Sequence, residues 1–171
     1  MIDFTTIDYL KDGNERQSKA FEVLTKYKIF EKLSNFSPIL AGTIPIEIDI
    51  EGSDLDIICE VKDKVEFKKL LKEIFDHSTN FKIREDVIND EDCIILNVFI
   101  NDFEIEIFGQ NKPTILQNAY LHMIAEYKIL KEKGEDFKQK IIDLKKKGIK
   151  TEPAFGMLLN LENPYQDLLK F

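Results

Sequence analysis

Hydrophobic positions recur along this chain with two different periods, and each change of period marks an element. Over residues 14–33, Ala20, Phe21, Leu24, Tyr27 and Ile29 return at helical spacing, which predicts an amphipathic helix with a break near Tyr27 and Lys28. Asp12-Gly13 supplies its entry turn, after a short helical piece over 6–11. Pro38-Ile39-Leu40-Ala41 reads as a short buried strand ending at Gly42. Residues 44–50 alternate strictly and predict a further strand. Folding it as a tight hairpin on the next strand would oppose Asp49 to Asp54 and Glu47 to Asp56, a repulsive pairing, and Pro45 cannot donate to a ladder. An extended, edge-like wrap is therefore expected.

Past Val61 the period becomes helical through Val65, Phe67, Leu70, Leu71, Ile74 and Phe75. Residues 81–87 alternate again, and 89–92 form a polar turn. Strands over 93–100 and 103–108 are joined by Asn101-Asp102, a turn pair suited to positive φ. That turn sets a register: Ile100 faces Phe103, Val98 faces Ile105 and Leu96 faces Ile107, an apolar face. The reverse face opposes Asn97 to Glu106 and Phe99 to Glu104. Everything after Gly109 reads as helix. Pro113 stands as a first helical residue, followed by a wide apolar stripe from Ile115 to Leu130. A second helix covers 135–147 and ends at Gly148, and helix starts follow at Thr151 and Asn163. The expected layout is one domain over 1–171, an α/β core to about residue 110 with a helical part over 111–171 packed on it.

Composition narrows the function. At 171 residues, with 43% hydrophobic and 33% charged positions, the chain has the make-up of a globular domain with a sizeable core. Its 32 acidic against 24 basic residues give a net charge of −8, which argues against long nucleic acids as partners, since these bind basic surface. No apolar run is long enough to span a membrane and the amino terminus shows no signal-peptide pattern, so a cytoplasmic location is expected. Cys59 and Cys93 both fall in apolar strand patterns and read as buried thiols of a reducing compartment.

The chemistry concentrates in Ala41-Gly42-Thr43 and Asp54-Leu55-Asp56. Residues i and i+2 of a strand share a face about 7 Å apart, so Asp54 and Asp56 project side by side. A core strand has no need of two adjacent carboxylates. An ion between them resolves the repulsion, and Mg²⁺ is commonly held by one or two carboxylates together with phosphate oxygens. The spacing of this set, with Glu106 or Glu104 on a neighbouring strand, resembles the polymerase-β-like nucleotidyltransferase superfamily, especially its small single-domain members. The stretches around 42–60 and 106–110, Gln117-Asn118-Ala119-Tyr120 and 150–155 also resemble a family of small uncharacterised bacterial proteins.

The resemblance implies a mixed, mostly antiparallel sheet flanked by helices. It implies Asp54, Asp56 and a third acid as catalytic ligands of Mg²⁺ or Mn²⁺, and Gly42, Thr43 and Ser53 as contacts to a nucleoside triphosphate such as ATP. Glu106 is the third acid of choice, because Asn97 opposite gives it polar surroundings whereas Glu104 faces Phe99. The expected reaction moves a nucleoside monophosphate to the hydroxyl of a small molecule, a protein or an RNA end. The alternative is a catalytically inactive module of the same fold that senses nucleotides or binds a partner; a metal-dependent hydrolase is a third. The sequence departs from the superfamily in Thr43, where Ser or Gly is usual, and in a 44–53 spacer without Arg. His122 reads as hydrogen-bonded in helix packing, Glu60 as paired to a lysine, Glu47 and Asp49 as surface acids, and 145–147 as a solvated, basic helix end.

Overall fold

The computed structural model describes residues 2–88 and 90–171. Five strands form one sheet in the order β1-β2-β5-β4-β3: β1 (Ile39–Ala41), β2 (Leu55–Glu60), β3 (Thr79–Ile88), β4 (Glu91–Ile100) and β5 (Phe103–Gln110). The central β2–β5 pair is parallel and the other three pairs are antiparallel. The 93–108 hairpin takes the register expected of it, with Ile100 on Phe103, Val98 on Ile105, Asn97 on Glu106 and Phe99 on Glu104. Asn101 carries the positive φ of its turn.

One face of the sheet is covered by α1 (Glu15–Lys26), α2 (Ile29–Lys32) and α3 (Lys64–Phe75). The interrupted helix appears as expected: Lys28 adopts a left-handed conformation between α1 and α2. Leu55, Ile57 and Cys59 of β2 and Ile105 and Ile107 of β5 pack there against Leu24, Phe67 and Leu71. In α3, Val65 points to solvent while Phe67, Leu71 and Phe75 face the core.

The second face is covered only in part. Helices α4 (Asn118–Lys133), α5 (Glu135–Lys146) and α6 (Thr151–Leu159) bury Met123, Ile129, Ile141 and Phe155 against Ile39, Ala41 and Ile58. They close over β1 and β2 and leave the polar side of β5, β4 and β3 open. The short α7 (Pro164–Asp167) follows. No described helix is long and apolar enough to cross a membrane.

Four expectations are corrected. Residues 44–50 are no strand: Glu47 donates its N–H to Ile44 O, Ile48 donates to Thr43 O, and Glu47 has a φ of 60°. The alternation served another purpose, because this turn crosses between the two cores, with Ile44 buried in one and Ile46 and Ile48 in the other. Its carbonyls are satisfied by side chains instead of a ladder, as buried backbone requires: Gln17 Nε2 donates to Ile44 O and Pro45 O, and Lys145 Nζ to Ile48 O. Lys145 is thus buried, unlike its exposed neighbours Lys146 and Lys147. Pro113 does not open α4 either. It is extended (ψ 132°) and leads into a short 3-10 turn over Thr114–Leu116, so α4 begins only at Asn118. The polar turn over 89–92 is described from Asp90 onward, with Asn89 outside the described residues, and β4 already begins at Glu91.

Candidate active site

Strand pairing draws one row across the open face. Ala41 pairs with Asp56, Asp56 with Glu106, Glu106 with Asn97, and Asn97 with Lys82. Neighbouring strands lie about 4.8 Å apart, so Asp56 and Glu106 stand side by side at the line where the helical cover stops. Asp54 precedes Leu55 as Glu104 precedes Ile105, and Leu55 pairs with Ile105, so the two further acids flank the row on its outer side.

The chain reaches this geometry by clamping both ends of the approach to β2. Gly42, with a φ of 81°, turns the chain directly over Asp56: a Cβ there would lie 2.2 Å from Asp56 Oδ2. At the other end Arg16 donates to Ser53 O at 3.0 Å while its guanidinium stacks 3.9 Å above the Phe103 ring. That contact ties the residue before Asp54 to the first residue of β5. Gln17 works at both ends of its own helix start, closing a capping box with Asn14 and holding the turn after Thr43. The sequence singled out neither Arg16 nor Gln17, since both lie on an ordinary helix and their partners are distant carbonyls.

Asn97 Nδ2 donates to Glu106 Oε2 at 3.2 Å and reaches Glu104 Oε1 at 3.4 Å, and Arg84 donates to Asn97 Oδ1 at 2.8 Å. Arg84 therefore fixes which end of the amide meets Glu106. If Glu106 ligates a metal, Arg84→Ala is expected to lower metal-dependent turnover about tenfold, since residues that orient metal-ligating carboxylates typically matter 10–100-fold. Glu106→Gln should lose far more, and comparing kcat for the two variants checks the order.

Electrostatics set the site apart from a chance cluster. Burial, and then the charges of Asp54 and Glu106, raise the Asp56 carboxyl to about 8. Lys145 counters this from α5, but its own ammonium is pulled down by burial and makes no ion pair among the described residues. Such a concentration of acid groups suits a divalent cation. Among the described residues no three His, Cys, Asp or Glu side chains are gathered closely enough to enclose an ion. Glu106 leans on Asn97.

Gly42, Thr43, Asp56 and Glu106 form one end of a cleft of about 930 Å³. It is also lined by Gln117, which precedes α4, and by His122, Glu126, Glu152 and Tyr165 of α4, α6 and α7. Asp54 and Ser53 lie outside that lining. The Ser53 hydroxyl accepts from Ile50 N within its own turn, while Thr43 stays half-exposed at the cleft. Glu60 pairs with Lys62 at 3.2 Å and Glu47 with Lys138 at 2.6 Å. Asp49 is half-buried, not a surface acid. His122 Nε2 donates to Tyr165 O at 2.8 Å and Nδ1 faces Glu152 at 3.5 Å. Cys59 and Cys93 are free and buried. Glu126 escaped sequence reasoning, although an acid inside the apolar stripe of α4 was the available signal.

This is the polymerase-β-like nucleotidyltransferase fold. The Cid1 poly(U) polymerase bound to MgGTP superposes with a TM-score of 0.56 at 12% identity, over 78% of this chain and 42% of that one. The GLD-2/RNP-8 complex gives 0.54 at 10%, over 90% and 63%, and the polymerase core of the TRAMP RNA surveillance complex gives 0.54 at 10%, over 95% and 50%. The chain thus spans about half the length of the solved proteins it matches. Within that fold it belongs to the family described as a domain of unknown function, DUF4269, whose model matches residues 22–171. No curated protein matches it.

Proposed function

We propose that the protein is a metal-dependent nucleotidyltransferase that moves a nucleoside monophosphate from a nucleoside triphosphate to a hydroxyl. The observation that carries this reading is the pairing of Asp56 with Glu106 on adjacent parallel strands, directly beneath Gly42 and at the edge of a cleft. The shared fold with polymerases solved with Mg²⁺ and nucleotide supports it.

Asp54, Asp56 and Glu106 are the residues that would hold Mg²⁺ or Mn²⁺. Bound there, the metal supplies a clamp on the oxygens of an in-line displacement and neutralises developing charge. The chain does the rest. Gly42 lets the triphosphate approach the backbone, and the Thr43 hydroxyl donates to a phosphate oxygen. Ser53 serves the nucleotide by placing Asp54, through the carbonyl that Arg16 holds. The acceptor oxygen attacks the α-phosphorus and the bond from that phosphorus to the bridging oxygen breaks. Pyrophosphate leaves, and the hydroxyl proton passes to Glu106. The wall of α4, α6 and α7 receives the nucleoside and the acceptor.

The test is pyrophosphate release from each nucleoside triphosphate with Mg²⁺ or Mn²⁺ across a set of hydroxyl acceptors. Turnover that Glu106→Gln abolishes, and Glu104→Gln retains, is expected. Loss through Glu104→Gln alone would assign the third acid to the wrong residue. Thermal stabilisation by nucleotide without turnover on any acceptor would define a nucleotide-sensing module instead. The net charge of −8 favours an acceptor other than a long nucleic acid.

A further inference from the structure

The two edges of the sheet are unlike. β1 is three residues long and buried throughout, whereas β3 is ten residues long and no described strand covers its outer edge. Two side-chain contacts show which backbone groups that edge presents. The Val87 N–H donates to the Asp86 carboxylate at 2.8 Å and so points away from β4, while the Asp86 carbonyl accepts from Cys93 Sγ of β4. Residues of an antiparallel strand alternate in this respect, so Ile83, Glu85 and Val87 turn their N–H and C=O groups outward. An edge of unpaired backbone groups is a template for a further strand.

Charged side chains commonly blunt such an edge, but on β3 the sign reverses partway along: Lys82 and Arg84 precede Glu85 and Asp86. A second copy of the strand, running antiparallel, meets that reversal as its complement. Two-fold symmetry makes one residue face its own copy, and the choice of residue sets the register. Centred on Arg84, the pairing opposes arginine to arginine and Ile83 to the partner's Glu85. Centred on Asp86, it opposes aspartate to aspartate and Arg84 to the partner's Ile88. Centred on Glu85, it sets Arg84 against the partner's Asp86 and Ile83 against the partner's Val87, each twice. Val87, 61% exposed, and half-buried Ile83 then cover one another on the α3 side, and the ion pairs form on the open face. The cost is Glu85 facing its own copy, which Lys68 of each chain offsets.

We infer that β3 pairs with β3 of a second copy about a two-fold axis at Glu85, joining two five-stranded sheets into one. The Val87 N–H passes from the Asp86 carboxylate to the carbonyl of the partner's Ile83. That frees Asp86 for the partner's Arg84. The Arg84 guanidinium commits one N–H to Asn97 Oδ1 and has others to give. Because Asn97 in turn donates to Glu106, the interface ends one side chain from the acid row. The pairing itself does not depend on the nucleotidyltransferase reading.

Sedimentation equilibrium of the full chain over a range of concentrations is expected to show a monomer–dimer equilibrium. Asp86→Arg, which sets arginine against arginine at both ends of the interface, should weaken the dimer about a hundredfold or more. Adding Arg84→Asp to that variant exchanges the two charges within each chain and should restore the dimer. Val87→Pro removes an outward N–H that no bond to β4 uses, a place where an edge strand tolerates proline, and should give a monomer that circular dichroism shows to be folded. A wild-type chain that stays monomeric at every concentration would overturn the inference. So would a dimer that survives both single variants, or a folded charge-exchanged variant that stays monomeric.

Discussion

Asp56→Asn is expected to abolish metal-dependent turnover and, in the same protein, to raise the melting temperature. The two effects have one cause. Folding buries this carboxyl between Asp54 and Glu106 and lifts it from the usual 3.8 to about 8. A folded-state value above the unfolded one means that the native state binds the extra proton between these limits. Stability therefore falls as pH rises from about 4 to about 8. Each tenfold change in proton affinity is worth about 1.4 kcal/mol, so the penalty at pH 8 is on the order of a few kcal/mol. Asn removes it, so the melting temperature should rise by about 5 °C or more at pH 8, since about 1 kcal/mol moves a chain of this size by roughly 2–4 °C. The gain should shrink toward pH 4. Turnover should drop on the order of a thousandfold, because a metal clamp supplies several kcal/mol of transition-state stabilisation. Scanning calorimetry from pH 4 to pH 8, with and without Mn²⁺, reads the stability half, and pyrophosphate release reads the other. Mn²⁺ should stabilise the wild type at pH 8 and leave the Asn variant unmoved. A destabilised variant would show that the carboxyl is held by protein partners and has no strain to release.

Gly42→Ala is expected to silence the site while leaving its acids in the sequence. The added methyl would fall 2.2 Å from Asp56 Oδ2 at a φ of 81°, a backbone conformation unfavourable to residues with a Cβ. Either the turn swings outward, taking Thr43 with it, or Asp56 is displaced from its place beside Glu106. Both outcomes break the geometry that the chemistry needs, where misplacement by about 1 Å costs on the order of a hundredfold. A loss of turnover of at least that size is expected, with stability lower by about 1–3 kcal/mol. Turnover is read by pyrophosphate release and stability by denaturant titration. Gly52, also at positive φ but with open space around its missing Cβ, is the matched control, and Gly52→Ala should lose stability with little loss of turnover.

The parts of this molecule that were legible in the sequence are those where local pattern and tertiary structure agree. The 93–108 hairpin is readable because a two-residue turn leaves one register that keeps Leu96, Val98 and Ile100 on the core side. The same register sets Asn97 against Glu106. Period two reads Asp54 and Asp56 as one face of a strand, whereas β2 begins only at Leu55 and Asp54 precedes it. Residues 44–50 misled for the same reason: four isoleucines at alternate positions satisfy a strand equally well as a turn that feeds two cores. Only Pro45 and the repulsion of a paired register hinted otherwise. Lys145 could not be told from its neighbours Lys146 and Lys147, since its burial depends on a carbonyl almost a hundred residues away. The far wall of the cleft was the least visible part. Gln117 reads as a candidate contact to a base or acceptor from its place after the third-acid strand, whereas Glu126 reaches the cleft only through the packing of α4.

Whether the acid row is a metal and nucleotide site is decided by a crystal of the full chain grown with Mn²⁺ and a non-hydrolysable nucleoside triphosphate, because the anomalous signal of the ion locates it without assumption. The expected result is Mn²⁺ bound by Asp54 and Asp56, with Glu106 in reach and the triphosphate against Gly42 and Thr43. Mn²⁺ and nucleotide bound elsewhere, or Asp54, Asp56 and Glu106 left without an ion at saturating concentrations of both, would contradict it.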